Sequence, residues 1–138
     1  MKRYLLDTSA LLTLRDDENG ADEVAEALGQ ASRGEAVAFG CFITLMEVLY
    51  HIWMDEGEHA GRLAYEQCLA LPIQWLHETK DLLESAAAYK ARFRLPLADA
   101  WIAATAELSG SVLMHKDPEF DSLPLDQARL PDKRVGDR

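Results

Sequence analysis

Short apolar runs alternate with longer stretches of helical spacing along this chain, and no other feature narrows the possible folds as much. Tyr4-Leu5-Leu6, Ala36-Val37-Ala38-Phe39, Ile73-Gln74-Trp75-Leu76 and Ser111-Val112-Leu113-Met114 read as short strands. A helix opens near Thr8-Ser9, and a second spans Ala21 to Ala31 with Val24, Ala25, Leu28 and Ala31 at helical spacing. An almost wholly apolar helix is expected from Thr44 to Met54, and should be largely buried. Another covers Glu58 to Leu71, where Pro72 stops it. Thr79 caps a helix reaching about Arg94, and Pro96 breaks it. An alanine-rich helix from Leu97 to Leu108 ends at Ser109-Gly110. Strands separated by helices predict an α/β domain, with a mostly parallel sheet of four or five short strands flanked by helices. A chain of 138 residues suits one such domain. It is expected to span residues 1–130, followed by a polar, disordered tail over 131–138.

Open parallel sheets bind ligands at the carboxyl ends of their strands. Asp7 and Asp117 each follow a strand and fall on that edge. Asp7 is either an N-cap or a site residue; Asp7-Thr8-Ser9 offers three capping residues where one suffices. Glu47 lies in the apolar helix beside Ile43, Tyr50 and Met54, so it is a buried carboxylate or sits on a narrow solvated face. Asp99 leads an apolar stripe of Ile102, Ala103 and Ala106. There it serves the helix dipole or meets a cation, because an isolated buried charge costs several kcal/mol or more. Asp117 precedes Pro118, a standard cap arrangement, with Glu119 and Asp121 close by.

The remaining composition restricts partners and compartment. Fourteen basic against twenty-four acidic residues leave a net charge of −10, unlike proteins that hold nucleic acid chiefly by phosphate neutralisation. Local positive charge exists at Lys90, Arg92 and Arg94, and at Lys116. Cys41 and Cys68 stand in apolar surroundings without a CxxC, which fits a reducing cytoplasm. No run approaches the roughly 18 apolar residues of a membrane span, so no membrane association is expected.

The order of segments LLDTSALL, TLMEVLY, LPLADAWIAATAELSG and VLMHKDPEF resembles the PIN-domain nucleases. The likeness is closest to the toxin ribonucleases of bacterial VapBC toxin–antitoxin pairs, and it extends from Tyr4 to about Leu123. It implies a site of Asp7, Glu47, Asp99 and Asp117, with Ser9 as the hydroxyl beside the first acid and Glu119 as an auxiliary acid. It implies an endoribonuclease cutting RNA to leave a 5′-phosphate, a cognate antitoxin and a homodimer. One departure stands out: His115 occupies a position where the family usually has Thr or Ser.

The chemistry agrees with that resemblance. Converging carboxylates repel and cannot all stay ionised without a cation. An all-oxygen set suits Mg²⁺ or Mn²⁺, whereas His51, His59, His77 and His115 are scattered and form no zinc motif. Acidic metal sites of this kind hydrolyse phosphodiesters, and Lys90, Arg92, Arg94 and Lys116 are the candidates to hold the RNA backbone. The alternative is a catalytically inactive PIN-like module that binds RNA or protein. A phosphotransferase with an aspartyl nucleophile needs a second acid where Ser9 stands, and no GxGxxG supports a dinucleotide enzyme.

Overall fold

A computed structural model describes residues 1–134. The chain runs β1 (Lys2–Leu6), α1 (Thr8–Arg15), α2 (Ala21–Ser32), β2 (Ala36–Cys41), α3 (Phe42–Glu56) and α4 (Glu58–Leu69). It continues with β3 (Gln74–Leu76), α5 (Lys80–Phe93), α6 (Leu97–Ser109), β4 (Val112–His115), a 3-10 turn at Pro118–Phe120, and β5 (Gln127–Arg129). The five strands form one sheet in the order β3-β2-β1-β4-β5, and every pairing is parallel.

Alternation along the strands divides the core in two. Tyr4 and Leu6 of β1, Ala36 and Ala38 of β2 and Met114 of β4 pack against one group of helices. Those helices contribute Leu11 from α1, Val24 and Leu28 from α2, Val48 and Ile52 from α3, and Cys68 from α4. Leu5, Phe39, Cys41 and Leu113 face the opposite way, onto α5 and α6 through Leu82, Tyr89, Ile102 and Ala103. Both cysteines are buried free thiols, as small core hydrophobes.

From β1 the chain first builds outward to β2 and β3, then returns to the other side of β1 for β4 and β5. The order therefore reverses between β1 and β4, and a crevice forms where strands diverge from such a switch point. Asp7 leaves the end of β1, and its backbone N–H still donates to Met114 O on β4 at 3.2 Å. Asp117 follows β4. The two acids open the same crevice.

Several elements differ from the sequence reading. Strand β2 continues through Gly40 to Cys41. The Trp75 ring lies flat where a Cβ at Gly40 would stand, so glycine serves close approach here and does not end the strand. The stretch after Pro124, outside the four apolar runs, supplies edge strand β5, paired to β4 at Leu113–Gln127, Met114–Ala128 and His115–Arg129. The Asp117-Pro118 start produces one 3-10 turn and no longer helix.

Helix α3 is less buried than its composition predicts. Thr44, Leu45, Val48 and Ile52 are covered, but Met46 is 61% exposed and Met54 77%. Trp53, 40% exposed, lies under the Arg62 guanidinium at 5.5 Å. Trp101 packs edge-on to Phe42 at 5.1 Å.

Within the expected tail, Asp132 O accepts from Asn19 at 2.9 Å, and Lys133 Nζ reaches Glu18 at 3.0 Å. The rest of that expectation, residues 135–138, lies outside the described residues.

Candidate active site

Asp7 is both a cap and a member of an acidic cluster. Its backbone is extended at the entry to α1, and Oδ1 accepts the Ala10 N–H at 2.8 Å. The Ser9 hydroxyl stands 2.7 Å from Oδ1 and 2.9 Å from Oδ2. Ser9 Oγ in turn accepts the Lys116 backbone N–H at 2.9 Å, tying the start of α1 to the turn after β4. Thr8, the other spare capping residue, is buried and donates to Glu47 Oε1 at 2.6 Å. It also lies 3.1 Å from Thr44 Oγ1. Thus two neighbouring hydroxyls on α1 orient two carboxylates from different elements.

Asp99 sits in the first turn of α6, half-buried, while Pro96 caps that helix without a side-chain bond. Its carboxyl lies close enough to Asp117, Glu47 and Asp7 to feel their charges. Asp117 accepts the Glu119 N–H at 2.9 Å. Glu119 itself is exposed and contributes only that N–H to these bonds. The structure therefore brings together Asp7, Glu47, Asp99 and Asp117, with Ser9 attached and the Glu119 side chain outside.

Charge in this cluster is unbalanced. Burial pushes Asp7 up to about 7, and Asp117 and Glu47 push the same way against the Ser9 and Ala10 donors. Asp99 also rises to about 7, first through burial and then through Asp117, Glu47 and Asp7. Among the described residues no basic side chain forms an ion pair with any of the four. Nor do three of them close into a ready-made metal cage. The arrangement is an open set of oxygen donors that share one electrostatic neighbourhood and lack a counter-charge. That chemistry fits a hard divalent cation, which would draw the donors inward.

The expected basic residues divide. Lys116 turns away from the acids: Nζ donates to Asn19 O at 2.6 Å and lies 3.5 Å from Glu18, with the side chain 9% exposed. Lys90 Nζ donates to Leu95 O at 2.8 Å, closing the turn between α5 and α6. Lys90 is thus engaged by a backbone carbonyl, and Lys116 by a backbone carbonyl and the buried Glu18 carboxylate. Arg92 and Arg94 are exposed at the end of α5, just before Asp99.

A cavity of about 630 Å³ joins Ser9 and Asp117 to His51, Asp55, Glu18 and Lys133. Sequence reasoning missed Thr8 as the partner of Glu47, and the Glu18–Lys116–Lys133 group altogether. The three consecutive capping residues pointed to the first. No local pattern marks the second, because its members meet only through the fold.

The family model for the PIN domain matches residues 4–125. Among solved structures, a toxin–antitoxin complex from Klebsiella pneumoniae is 25% identical, with TM-score 0.63 and coverage of 91% of this chain and 95% of that one. DNA-bound VapBC from Salmonella typhimurium is 19% identical, with TM-score 0.74 and coverage of 94% and 98%. The Sarcin-Ricin loop cleaving toxin VapC20 from Mycobacterium tuberculosis is also 19% identical, with TM-score 0.69 and coverage of 88% and 95%. At those lower identities the likeness is one of fold. No curated protein matches the chain.

Proposed function

The chain belongs to the PIN-domain family, and from that premise we propose that it is a divalent-metal-dependent endoribonuclease, the toxin of a toxin–antitoxin pair. The observation that carries this reading is the convergence of four carboxylates from β1, α3, α6 and the turn after β4. Two of them, Asp7 and Asp99, are raised to about 7 by burial and by the neighbouring carboxylates. A module that only bound a partner would have no use for that electrostatic tension.

Asp7, Glu47, Asp99 and Asp117 would hold Mg²⁺ or Mn²⁺. Such an ion supplies Lewis acidity, lowering the pKa of water and stabilising charge that develops on the phosphodiester. The protein's own contribution is orientation. Ser9 fixes the Asp7 carboxylate, and Thr8 holds one oxygen of Glu47. Burial and the neighbouring acids raise Asp99 to about 7, and it must ionise before it can act as a ligand, so cleavage should rise with pH through about 7. Arg92 and Arg94 supply exposed guanidiniums that match phosphate geometry.

The antitoxin follows from the family reading and from relatives solved as toxin–antitoxin complexes. No helix among the described residues is long and apolar enough to cross a membrane, which accords with an RNA-facing role in the cytoplasm. A homodimer is part of the same proposal.

The direct test is cleavage of a labelled structured RNA with Mn²⁺, with chelator, and with Asp99→Asn. Loss of a residue that merely supports a ligand lowers metal affinity or activity about 10- to 100-fold. Loss of a ligand itself should therefore reduce cleavage by at least about 100-fold. Equal cleavage by wild type and Asp99→Asn, or full activity in chelator, overturns the reading.

A further inference from the structure

His115 is fully buried at the end of β4, two residues before Asp117, and its hydrogen bonds form a closed chain of donors and acceptors. The chain starts at Gln127 on β5, whose Nε2 donates to Phe120 O at 2.8 Å and Leu123 O at 3.2 Å. With its amide nitrogen engaged, Gln127 presents Oε1 to the imidazole, 2.7 Å from His115 Nε2. An oxygen acceptor there requires the proton on Nε2 and leaves Nδ1 bare. The bare Nδ1 lies 3.1 Å from the Asp117 backbone N–H and accepts it. Phe120 packs edge-on against the ring at 5.1 Å and holds its plane.

The adjacent amide is secured in the same manner from the other side. Lys116 N–H donates to Ser9 Oγ, the hydroxyl that also orients Asp7. Two consecutive peptide N–H groups after β4 are therefore captured by side chains, one on Ser9 and one on His115. The carboxylate that follows them accepts the Glu119 N–H at 2.9 Å and shares the electrostatic neighbourhood of Asp99.

We infer that His115, as a neutral imidazole locked by Gln127, is a positioning residue that sets the Asp117 carboxylate in the acidic site. It replaces, through a ring nitrogen, the hydroxyl usual at this position. Fully buried and bonded to Gln127 and the Asp117 N–H, it acts through the backbone of Asp117. The inference rests on the nuclease reading for its functional consequence, but its structural half can be tested without metal or RNA.

Two near-isosteric variants separate the two ring nitrogens. His115→Asn keeps an acceptor near Nδ1 and loses the reach to Gln127, whereas His115→Gln keeps the reach and loses the acceptor at Nδ1. Each is compared with wild type by amide hydrogen exchange at Asp117 and by Mn²⁺ titration calorimetry. Gln127→Met, which frees the ring without altering it, is a third variant should either substitution at the buried position fail to fold. The expected result is a protected Asp117 amide in wild type and His115→Asn, and lost protection in His115→Gln. Mn²⁺ affinity should fall about 10-fold or more in His115→Gln and by less than about threefold in His115→Asn, with partial loss in Gln127→Met. A purely packing role predicts equal losses in the Asn and Gln variants, and that outcome overturns the inference. So does an unprotected Asp117 amide in wild type. Protection as expected, with no Mn²⁺ bound by wild type, overturns instead the nuclease reading and the functional half that depends on it.

Discussion

Glu18 and Asp7 are both buried carboxylates, Glu18 lining the cavity that Asp7's neighbours Ser9 and Asp117 also line, and the fold treats them in opposite ways. Glu18, 6% exposed, has Lys133 at 3.0 Å and Lys116 at 3.5 Å, with the Thr13 hydroxyl nearby at 3.4 Å. Asp7 is as deeply buried, yet receives only a hydroxyl and one backbone N–H, and its carboxylate neighbours push it further from ionisation. Burying a charge without a partner is strongly unfavourable, so most proteins supply the partner from their own sequence. This one supplies it to Glu18 and withholds it from the Asp7 cluster. The contrast marks Glu18 and its lysines as internal bracing and supports the proposal that the acidic cluster takes a cation from outside.

The largest consequence falls on the braced side. Lys116→Met removes one partner of Glu18 at nearly constant volume and should cost about 3 kcal/mol, as breaking a buried pair does. In a chain of this size that corresponds to a melting temperature lower by roughly 10 °C. Chemical unfolding measures it; a loss below about 1 kcal/mol would mean that Glu18 does not depend on the pair.

The unbalanced side predicts the reverse sign. Asp7 and Asp99 have folded pKa values of about 7, above the ordinary 3.8 of the unfolded chain. The folded state therefore keeps protons that the unfolded chain releases between those values, and stability falls as pH rises across that window. Their contribution is complete below about pH 4 and lost as pH passes about 7. Melting curves of metal-free protein from pH 4 to 8 should show this decline. Asp99→Asn should flatten it and melt a few degrees above wild type at pH 8. A stability that rises from pH 4 to 7 by the same amount in both proteins would contradict the reading of an uncompensated cluster.

The smallest effect separates the two lysines around Glu18. Lys133 is half exposed, where an ion pair contributes about 0–1 kcal/mol. Lys133→Ala should cost less than about 1 kcal/mol, well below Lys116→Met, when both are unfolded under the same conditions.

Much of the architecture was legible because strand and helix periods differ and the chain keeps them apart. The parallel sheet followed from four apolar runs, and Asp7 and Asp117, each just after a strand, fell on its carboxyl edge. What escaped has physical reasons. Gln127-Ala128-Arg129 carries no apolar alternation, since β5 is an edge strand held to β4 through its backbone. Helix α3 is apolar on all sides, so periodicity alone could not tell which side stays exposed. Lys116 stood out in the sequence because it adjoins Asp117; its partners Glu18 and Asn19 were not legible, because they approach only through the turn between α1 and α2. His115 read as a missing hydroxyl, yet the imidazole and Gln127 together supply an acceptor at the Asp117 amide.

The central claim is that the acidic cluster is completed by a divalent ion, and thermal unfolding with and without Mn²⁺, run beside Asp99→Asn, tests it most directly. A ligand at about 100 times its dissociation constant adds about 2.7 kcal/mol, or roughly 9 °C for a chain of this length. The account predicts such a rise in wild type at pH 8 and its loss in Asp99→Asn, although the variant is the more stable protein without metal. No rise in wild type, or the same rise in both, would contradict it.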